Sequence, residues 1–281
     1  MKRIAIIPNN GKDLGLLNTK KIIEYLADRA ELYMDTAYSV IGMKVNYVTL
    51  SELYSKAEVL LVLGGDGTIL QCAAESAKKH IPILGINLGR IGFMTEVEID
   101  DIECALDKLL EDDYTTEKRM MMRVEIKKDN KLHSCCHALN DVVVSKSAGM
   151  RLIGMELYTD GQLVNRYIAD GLIIATPTGS TGYSISAGGP VVDPRMQLYV
   201  ATPICAHMLS VRSAVLPSEK KIVIKLDKTY PECDAIVSAD GDVQGYIKDI
   251  DEVIITKSEY EFELIKIGNQ SFYDTVLRKL S

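Results

Sequence analysis

Two rhythms of apolar residues divide the chain. In the first third, short continuous apolar runs alternate with segments whose apolar residues recur at helical spacing. Arg3 to Ile7 predicts a strand, ended by Pro8-Asn9-Asn10. Lys20 to about Tyr38 predicts a helix, with Thr19 as its N-cap and Ile22, Ile23, Leu26 and Ala27 as its apolar residues. Val45 to Leu50 and Glu58 to Leu63 predict strands, the latter continuously apolar as in a sheet covered on both faces. A helix is expected from Thr68, with Ile69, Ala73 and Ala77 on one stripe and Leu70 and Ala74 beside it. Ile81 to Ile86 predicts the next strand. Alternation of this kind implies βαβ units and a parallel sheet covered by helices.

After about Thr116 the pattern becomes β-rich. Strands are expected within Arg123-Val124-Glu125-Ile126 and at Leu139 to Val144, Leu152 to Thr159, Leu163 to Ile168, Leu172 to Thr176, Lys221 to Leu226, Ala235 to Ser238, Val253 to Thr256 and Phe262 to Ile267. Asp160-Gly161 reads as a hairpin turn. Tyr273 to Leu280 predicts a short helix. The fold class expected is an α/β N-terminal domain with a parallel sheet, residues 1–115, followed by a β-rich domain, residues 116–265, and a C-terminal segment, residues 266–281.

Length and composition add limits. With 281 residues, 47 % hydrophobic and 25 % charged, the chain can bury one or two globular cores. It has no apolar run long enough to cross a bilayer, and the N-terminal run is too short for a signal peptide. A net charge of −7 argues against nucleic acid as a partner, yet leaves room for a phosphate site built from backbone N–H groups. Cys72, Cys104, Cys135, Cys136, Cys205 and Cys233 form no CxxC pair, and the histidines complete no metal-ligand spacing. Reduced, mostly packing thiols of a cytoplasmic protein, with no metal site of its own, are expected.

Four segments could carry chemistry. Gly64-Gly65-Asp66-Gly67-Thr68 joins a buried strand to a helix, where N–H groups and the helix dipole converge and glycines admit an anion. An acidic residue there repels phosphate, but suits a base for a hydroxyl nucleophile. The alternative is a tight turn with Asp66 as N-cap. Asp170-Gly171 leads through an apolar run into Pro177-Thr178-Gly179-Ser180-Thr181-Gly182-Tyr183-Ser184-Ile185-Ser186-Ala187-Gly188-Gly189-Pro190, whose hydroxyls and N–H groups suit phosphate and ribose oxygens. Tyr183 could stack on a base, and a long polar loop without function is the alternative. Asn140-Asp141 could hold a ribose diol or adenine edge, or simply form a turn. Ser238-Ala239-Asp240-Gly241-Asp242 reads most simply as an Asp-Gly turn, and His207 and Arg212 fit a structural pair as well as a functional one.

Taken in order, these segments resemble the ATP-NAD kinase family over most of the chain, from the first strand to Asp240. GGDGT alone is also similar to diacylglycerol and sphingosine kinases, and GGDG occurs in phosphofructokinases. The combination with the Asn-acidic pair and DGLIIATPTGSTGYSISAGGP is specific, and Asn87-Leu88-Gly89-Arg90-Ile91-Gly92-Phe93 is similar to the family's next glycine-rich segment. The resemblance implies transfer of the γ-phosphoryl group of ATP to the 2′-hydroxyl of the adenosine ribose of NAD. It implies Asp66 as base with Gly67 beside it, and a triphosphate site shaped by Gly64, Gly65, Gly67 and Thr68. Phe93 would wall the adenosine pocket, Asn140 and Asp141 would bind the riboses, and Asp170 would hold the nicotinamide end. Thr181, Gly182, Tyr183 and Ser186 would line adenine and pyrophosphate, with Arg151 near the nucleotide. Mg²⁺ would be carried with ATP, polyphosphate is a further donor, and a homodimer or homotetramer is expected, with the final helix packing back on the first domain. The chain departs from the family at Asp141, often Glu, at Gly182, often Ala, at Ile168, often Arg, and at Asp242, often Gln. The rival readings are a lipid kinase, against which no membrane-facing stretch stands out, and a non-catalytic dinucleotide-binding module, which does not need Asp66.

Overall fold

Buried apolar runs build the first of two units around a parallel sheet. The computed structural model describes residues 1–90, 92–147, 152–207, 212–227, 235–247, 250–268 and 271–280. Met1–Lys118 and Glu261–Ser281 form one unit, and Arg119–Tyr260 the other.

The first unit runs through β1 (Lys2–Pro8), α1 (Leu17–Leu26), β2 (Ala30–Asp35), β3 (Asn46–Val48), α2 (Leu50–Lys56), β4 (Val59–Gly64), α3 (Asp66–Lys79), β5 (Ile83–Asn87), β6 (Val97–Glu98) and α4 (Ile102–Leu110). Its strands pair in parallel in the order β5-β4-β1-β2-β3. Every residue of β4 and β5 is buried, which is why both read as unbroken apolar runs. Ile22, Ile23 and Leu26 of α1 and Leu106 and Leu109 of α4 pack with Ile4, Ile6, Leu61 and Leu63 in one core.

Three local expectations are corrected here. The helix expected to reach Tyr38 stops at Leu26, and β2 follows, in register with β1 from Lys2↔Ala30 to Ala5↔Tyr33. Ala30, Leu32 and Met34 alternate into the core, so the open edge of β1 decides a segment whose local pattern was helical. Thr19 is not the N-cap but lies inside α1. The first turn is held from the preceding loop by the buried Asp13 carboxylate, which accepts Asn18 N–H at 3.0 Å, Thr19 N–H at 2.9 Å and the Thr19 hydroxyl at 2.6 Å. The strand expected to reach Leu50 is only β3, because Thr49 and Glu52 close a capping box that starts α2.

The chain enters the second unit along β7 (Thr115–Lys128) and continues through β8 (Lys131–Ala138), β9 (Asp141–Lys146), β10 (Ile153–Thr159), β11 (Gln162–Ala169), β12 (Gly171–Ala175), α5 (Tyr183–Ser186), β13 (Leu198–Ile204), β14 (Ala214–Pro217), β15 (Ile222–Leu226), β16 (Ala235–Ala239), β17 (Asp242–Ile247) and β18 (Ile250–Lys266). One antiparallel sheet has the order β14-β13-β12-β9-β16-β17. Opposite it, β11, β10, β15 and β18 pair antiparallel, with β7 and β8 as a hairpin beside β18. Alternate residues of both layers, among them Val142, Val144, Leu172 and Ile174 against Ile153, Met155 and Leu157, form one sandwich-like core. Asp160 and Gly161 have φ of 47° and 81°, the two left-handed positions that a two-residue hairpin turn requires. The two late strands expected at Val253 to Thr256 and Phe262 to Ile267 are one 17-residue strand, β18. Its polar middle does not interrupt it, because Ser258 turns inward and meets His137 Nδ1 at 2.9 Å.

In the first unit, the end of β18 joins the parallel sheet at Leu264↔Ile83. There the Glu96 carboxylate pairs with the Lys266 ammonium and accepts Ile267 N–H at 3.2 Å and Gly268 N–H at 3.1 Å. The chain then enters α6 (Phe272–Leu280). The α/β unit with a parallel sheet and the β-rich second unit match the expected fold class. The thiols do not match expectation: the five described cysteines are free, but only Cys72 is buried, while Cys104, Cys135 and Cys205 are exposed. Cys233 lies outside the described residues.

Candidate active site

In the first unit, β4 delivers Gly64 and Gly65 to the N-terminus of α3, a helix of 14 residues. A Cβ at Gly64 would stand 2.9 Å from Thr68 Cβ and closer to its hydroxyl oxygen, so only glycine lets the loop close on the first helical turn. The Thr68 hydroxyl is held in place by the Asn9 side-chain amide at 2.8 Å. Asp66 is not the N-cap. Gly65 takes that position, and Asp66 opens the helix with its carboxylate turned to the loop after β5. There Oδ2 accepts Phe93 N–H at 2.8 Å and Oδ1 accepts Met94 N–H at 3.0 Å. The Lys279 ammonium of α6 lies 4.0 Å from Asp66 Oδ2 and 4.3 Å from the centre of the Phe93 ring, and Phe272 meets Phe93 at 6.0 Å. Asp66 and Phe93, far apart in sequence, are thus neighbours on one face of the parallel sheet's helix end, while Gly67 remains exposed.

In the second unit, Asn140 precedes β9 and Asp141 opens it. The loop after β12 folds onto them. Thr176 N–H donates to Asn140 O at 2.8 Å, the Thr176 hydroxyl to Leu139 O at 2.6 Å, and Gly179 N–H to the Thr176 hydroxyl at 3.1 Å. A Cβ at Gly179 would fall 2.8 Å from Asn140 Cα and closer to its carbonyl, so this contact is backbone on backbone. A Cβ at Gly182 would stand 3.4 Å from Asn140 Nδ2 and 3.7 Å from Asp141 Oδ2. Asn140, Asp141 and Gly182 therefore share one cluster, and Asn140 Oδ1 is buried there without a hydrogen-bond partner. An acceptor left in that state is costly unless a ligand or a water donates to it. Thr181 bonds Thr178 O at 3.1 Å, Tyr183 is exposed on α5, Ser186 is exposed at its end, and Ser184 is buried against the Thr202 hydroxyl at 3.1 Å.

Asp240 is the turn residue that its Asp-Gly pair predicts, with φ of 49° in the two-residue turn joining β16 to β17. It also has a second role that sequence reasoning missed. Its carboxylate accepts the N–H groups of Leu139 and Asn140, both at 2.7 Å, and of Asp141 at 3.1 Å. Burial pushes the Asp240 carboxyl upward, against these three bonds, which favour its charged form. Burial, and then the nearby Asp240 charge, push the Asp141 carboxyl up to about 7. Only the pairing of β16 with β9 brings the two acids together, so spacing carried no signal.

Asp170 stands apart from this cluster. It precedes β12, while Asp141 lies across from Ala175 at the other end of that strand. The separation is roughly 16 Å at about 3.3 Å per residue. Asp170 Oδ1 pairs with Lys146 Nζ at 2.6 Å, and Lys146 N–H donates to Asp170 O at 2.9 Å. Lys146 was not singled out from sequence either; β9 presents it opposite the start of β12. Ile168 is a strand residue of β11, and Asp242 opens β17. Arg151 lies outside the described residues, as do Ile91 and residues 208–211 between His207 and Arg212.

Comparison with known proteins follows this division. Residues 13–114 match the model of the ATP-NAD kinase N-terminal domain, and residues 139–267 match that of the C-terminal domain. NAD kinase of Caldanaerobacter subterraneus subsp. tengcongensis is 39 % identical over 284 residues, covering 100 % of this chain and 99 % of that protein. NAD kinase of Moorella thermoacetica is 39 % identical, covering 100 % of this chain and 89 % of that protein. Among solved structures, an Archaeoglobus fulgidus NAD kinase in complex with ATP superposes with a TM-score of 0.75 at 29 % identity, over 99 % of this chain and 98 % of that one. Yeast NADH kinase complexed with NADH shares the fold, with a TM-score of 0.88 at 22 % identity, over 100 % of this chain and 87 % of that one. Fold and loops together define a class of kinases built from a parallel α/β unit and an antiparallel β unit. Within that class, this chain belongs to the ATP-NAD kinase family. The protein is an enzyme with kinase activity, as the combined motifs implied.

Proposed function

We infer that this enzyme phosphorylates NAD at the 2′-hydroxyl of its adenosine ribose, with ATP as donor and NADP as product. The observation that carries the site assignment is the placement of Asp66. A carboxylate is held by two backbone N–H groups at a glycine-rich strand-to-helix junction, where an anion is otherwise favoured. In the transfer, the 2′-oxygen forms its bond to the γ-phosphorus while the bond to the β–γ bridging oxygen breaks and ADP departs. Asp66 orients the hydroxyl and accepts its proton. Positioning and charge stabilisation supply most of the rate.

Gly64, Gly65, Gly67 and Thr68 are assigned to the phosphates of ATP, and Phe93 to the adenosine of NAD. Asn140 and Asp141 are assigned to its riboses, with the unpartnered Asn140 Oδ1 as an acceptor for a ligand hydroxyl or amino group. Thr181, Gly182, Tyr183 and Ser186 are assigned to adenine and pyrophosphate, Arg151 to the nucleotide, and Asp170 to the nicotinamide end. The Asp170–Lys146 pair supplies a cation at the start of β12. No group of three His, Cys, Asp or Glu that could hold a metal occurs among the described residues, and both Asp66 oxygens already accept N–H groups. In this reading the divalent cation, Mg²⁺, is carried on the phosphates of ATP as part of the substrate. We further propose a homodimer or homotetramer acting on the cytoplasmic NAD pool, with polyphosphate as a second donor to be tested. No helix among the described residues is long and apolar enough to cross a membrane.

The test is an assay of the purified protein with NAD, ATP and Mg²⁺, NADP being read out by an NADP-specific dehydrogenase. Wild type is expected to form NADP, and Asp66→Asn to lose about 10²–10⁴-fold in kcat while NAD still binds. Near-normal turnover in that variant would remove Asp66 from the role of base.

A further inference from the structure

The backbone of Gly65 is extended, with φ −159° and ψ −172°, a conformation open to any residue. Glycine leaves space there for a side chain from another loop. A Cβ at this position would stand 2.6 Å from the ammonium nitrogen of Lys12. The backbone that carries Lys12 is firmly held. Asn9 N–H donates to Leu63 O at 2.9 Å, and the N–H groups of Lys12 and Asp13 donate to Asn9 O at 3.0 and 2.8 Å. Gly11 N–H donates to the Asn9 side chain, whose amide in turn donates to Thr68. The loop after β1 is therefore locked to the loop after β4, and it delivers a cation to the N-terminus of α3.

That placement is unfavourable in isolation, because a helix N-terminus carries positive partial charge. Among the described residues the Lys12 ammonium has no hydrogen-bond or ion-pair partner. Asp66 does not take that role: its oxygens accept the N–H groups of Phe93 and Met94, and the ammonium it pairs with is that of Lys279. An anion resting on the glycine loop would satisfy the helix end and the ammonium together. We propose that Lys12 is a donor-binding residue, its ammonium contacting the terminal phosphates of the nucleoside triphosphate held by Gly64 to Thr68. This assignment rests on the reading of the chain as an ATP-dependent NAD kinase. It also explains Gly65, which is small so that a lysine can reach across it.

The experiment is steady-state kinetics of the full-length protein, with ATP varied at saturating NAD and NAD varied at saturating ATP. Wild type, Lys12→Ala, Lys12→Arg, Gly65→Ala and the Lys12→Ala/Gly65→Ala double variant are compared. Lys12→Ala is expected to raise KM for ATP roughly 10–100-fold and to leave KM for NAD within about twofold, and Lys12→Arg to recover part of the loss. A Cβ at residue 65 pushes the flexible end of Lys12 aside, so Gly65→Ala should add little once Lys12 is alanine. Unchanged ATP kinetics in Lys12→Ala, beside an active wild type, overturn the assignment. Equal rises in both KM values also overturn it, since they mark a general structural role. A folded wild type that forms no NADP overturns the kinase reading, and the assignment falls with it.

Discussion

The carboxylate of Asp66 fills the space that a side chain on residue 92 would need. A Cβ at Gly92 would lie 2.9 Å from Asp66 Cγ and closer still to Oδ1. The glycine after β5 thus sets the position of the residue that opens α3, although 26 positions separate them in the chain. Gly92→Ala is expected to displace the carboxylate and lower kcat toward that of Asp66→Asn, a loss of about 10²–10⁴-fold. Measuring kcat for the two single variants and the double variant checks this, because the losses should not add if both act through one carboxylate. Full activity in Gly92→Ala would sink it.

Asp141 makes stability depend on pH in a direction opposite to that of a salt-bridged acid. Its carboxyl is pushed from an ordinary 3.8 up to about 7, chiefly by burial. Between these values the native state holds a proton that the unfolded chain has lost. This contribution to stability therefore falls as pH rises through the window and is flat above it. Relative to wild type, Asp141→Asn should gain stability at pH 8 compared with pH 4, while KM for NAD rises. Denaturant midpoints of both proteins at the two pH values test the sign; an equal difference at both contradicts it.

Asp240 bonds the site through three backbone N–H groups, and its charge also bears on Asp141. Asp240→Asn leaves an amide facing three N–H donors, and is expected to cost about 1–3 kcal/mol in stability. If its role is to set the Asn140-Asp141 segment, KM for NAD should rise while KM for ATP is retained. Urea melting with both KM values separates this from a purely structural effect, which would move stability alone.

Two glycines of one loop should respond differently. At Gly179 a Cβ would overlap the Asn140 backbone, which has no room to move away from the Thr176 and Asp240 bonds. At Gly182 the nearest atoms are 3.2 and 3.4 Å away, within reach of small adjustments. Gly179→Ala is expected to weaken NAD binding and lower the melting temperature, whereas Gly182→Ala should retain both within error. Thermal melts and NAD titrations of the two variants check the contrast.

Much of this was legible from local pattern. β4 and β5 read as strands because both faces are buried, and Asp160-Gly161 read as a turn because two left-handed residues close it. GGDGT was legible as a glycine-rich strand-to-helix junction because its residues are contiguous in sequence. β2 was misread as helix because the deciding influence is β1, not its own residues. Likewise, α6 could be read as a helix, but nothing local places Lys279 beside Asp66.

The amino-acid sequence by itself therefore determined the class of fold and the family, since periodicity and contiguous motifs are properties of neighbours in the chain. Only the tertiary structure decided which side chains those motifs meet. Asp66 with Gly92, Asp240 with Asn140, Lys146 with Asp170 and Lys12 with Gly65 are joined by strand pairing and loop docking. Those contacts form when distant buried surfaces and backbone donors are satisfied together, and no local pattern encodes the pairing.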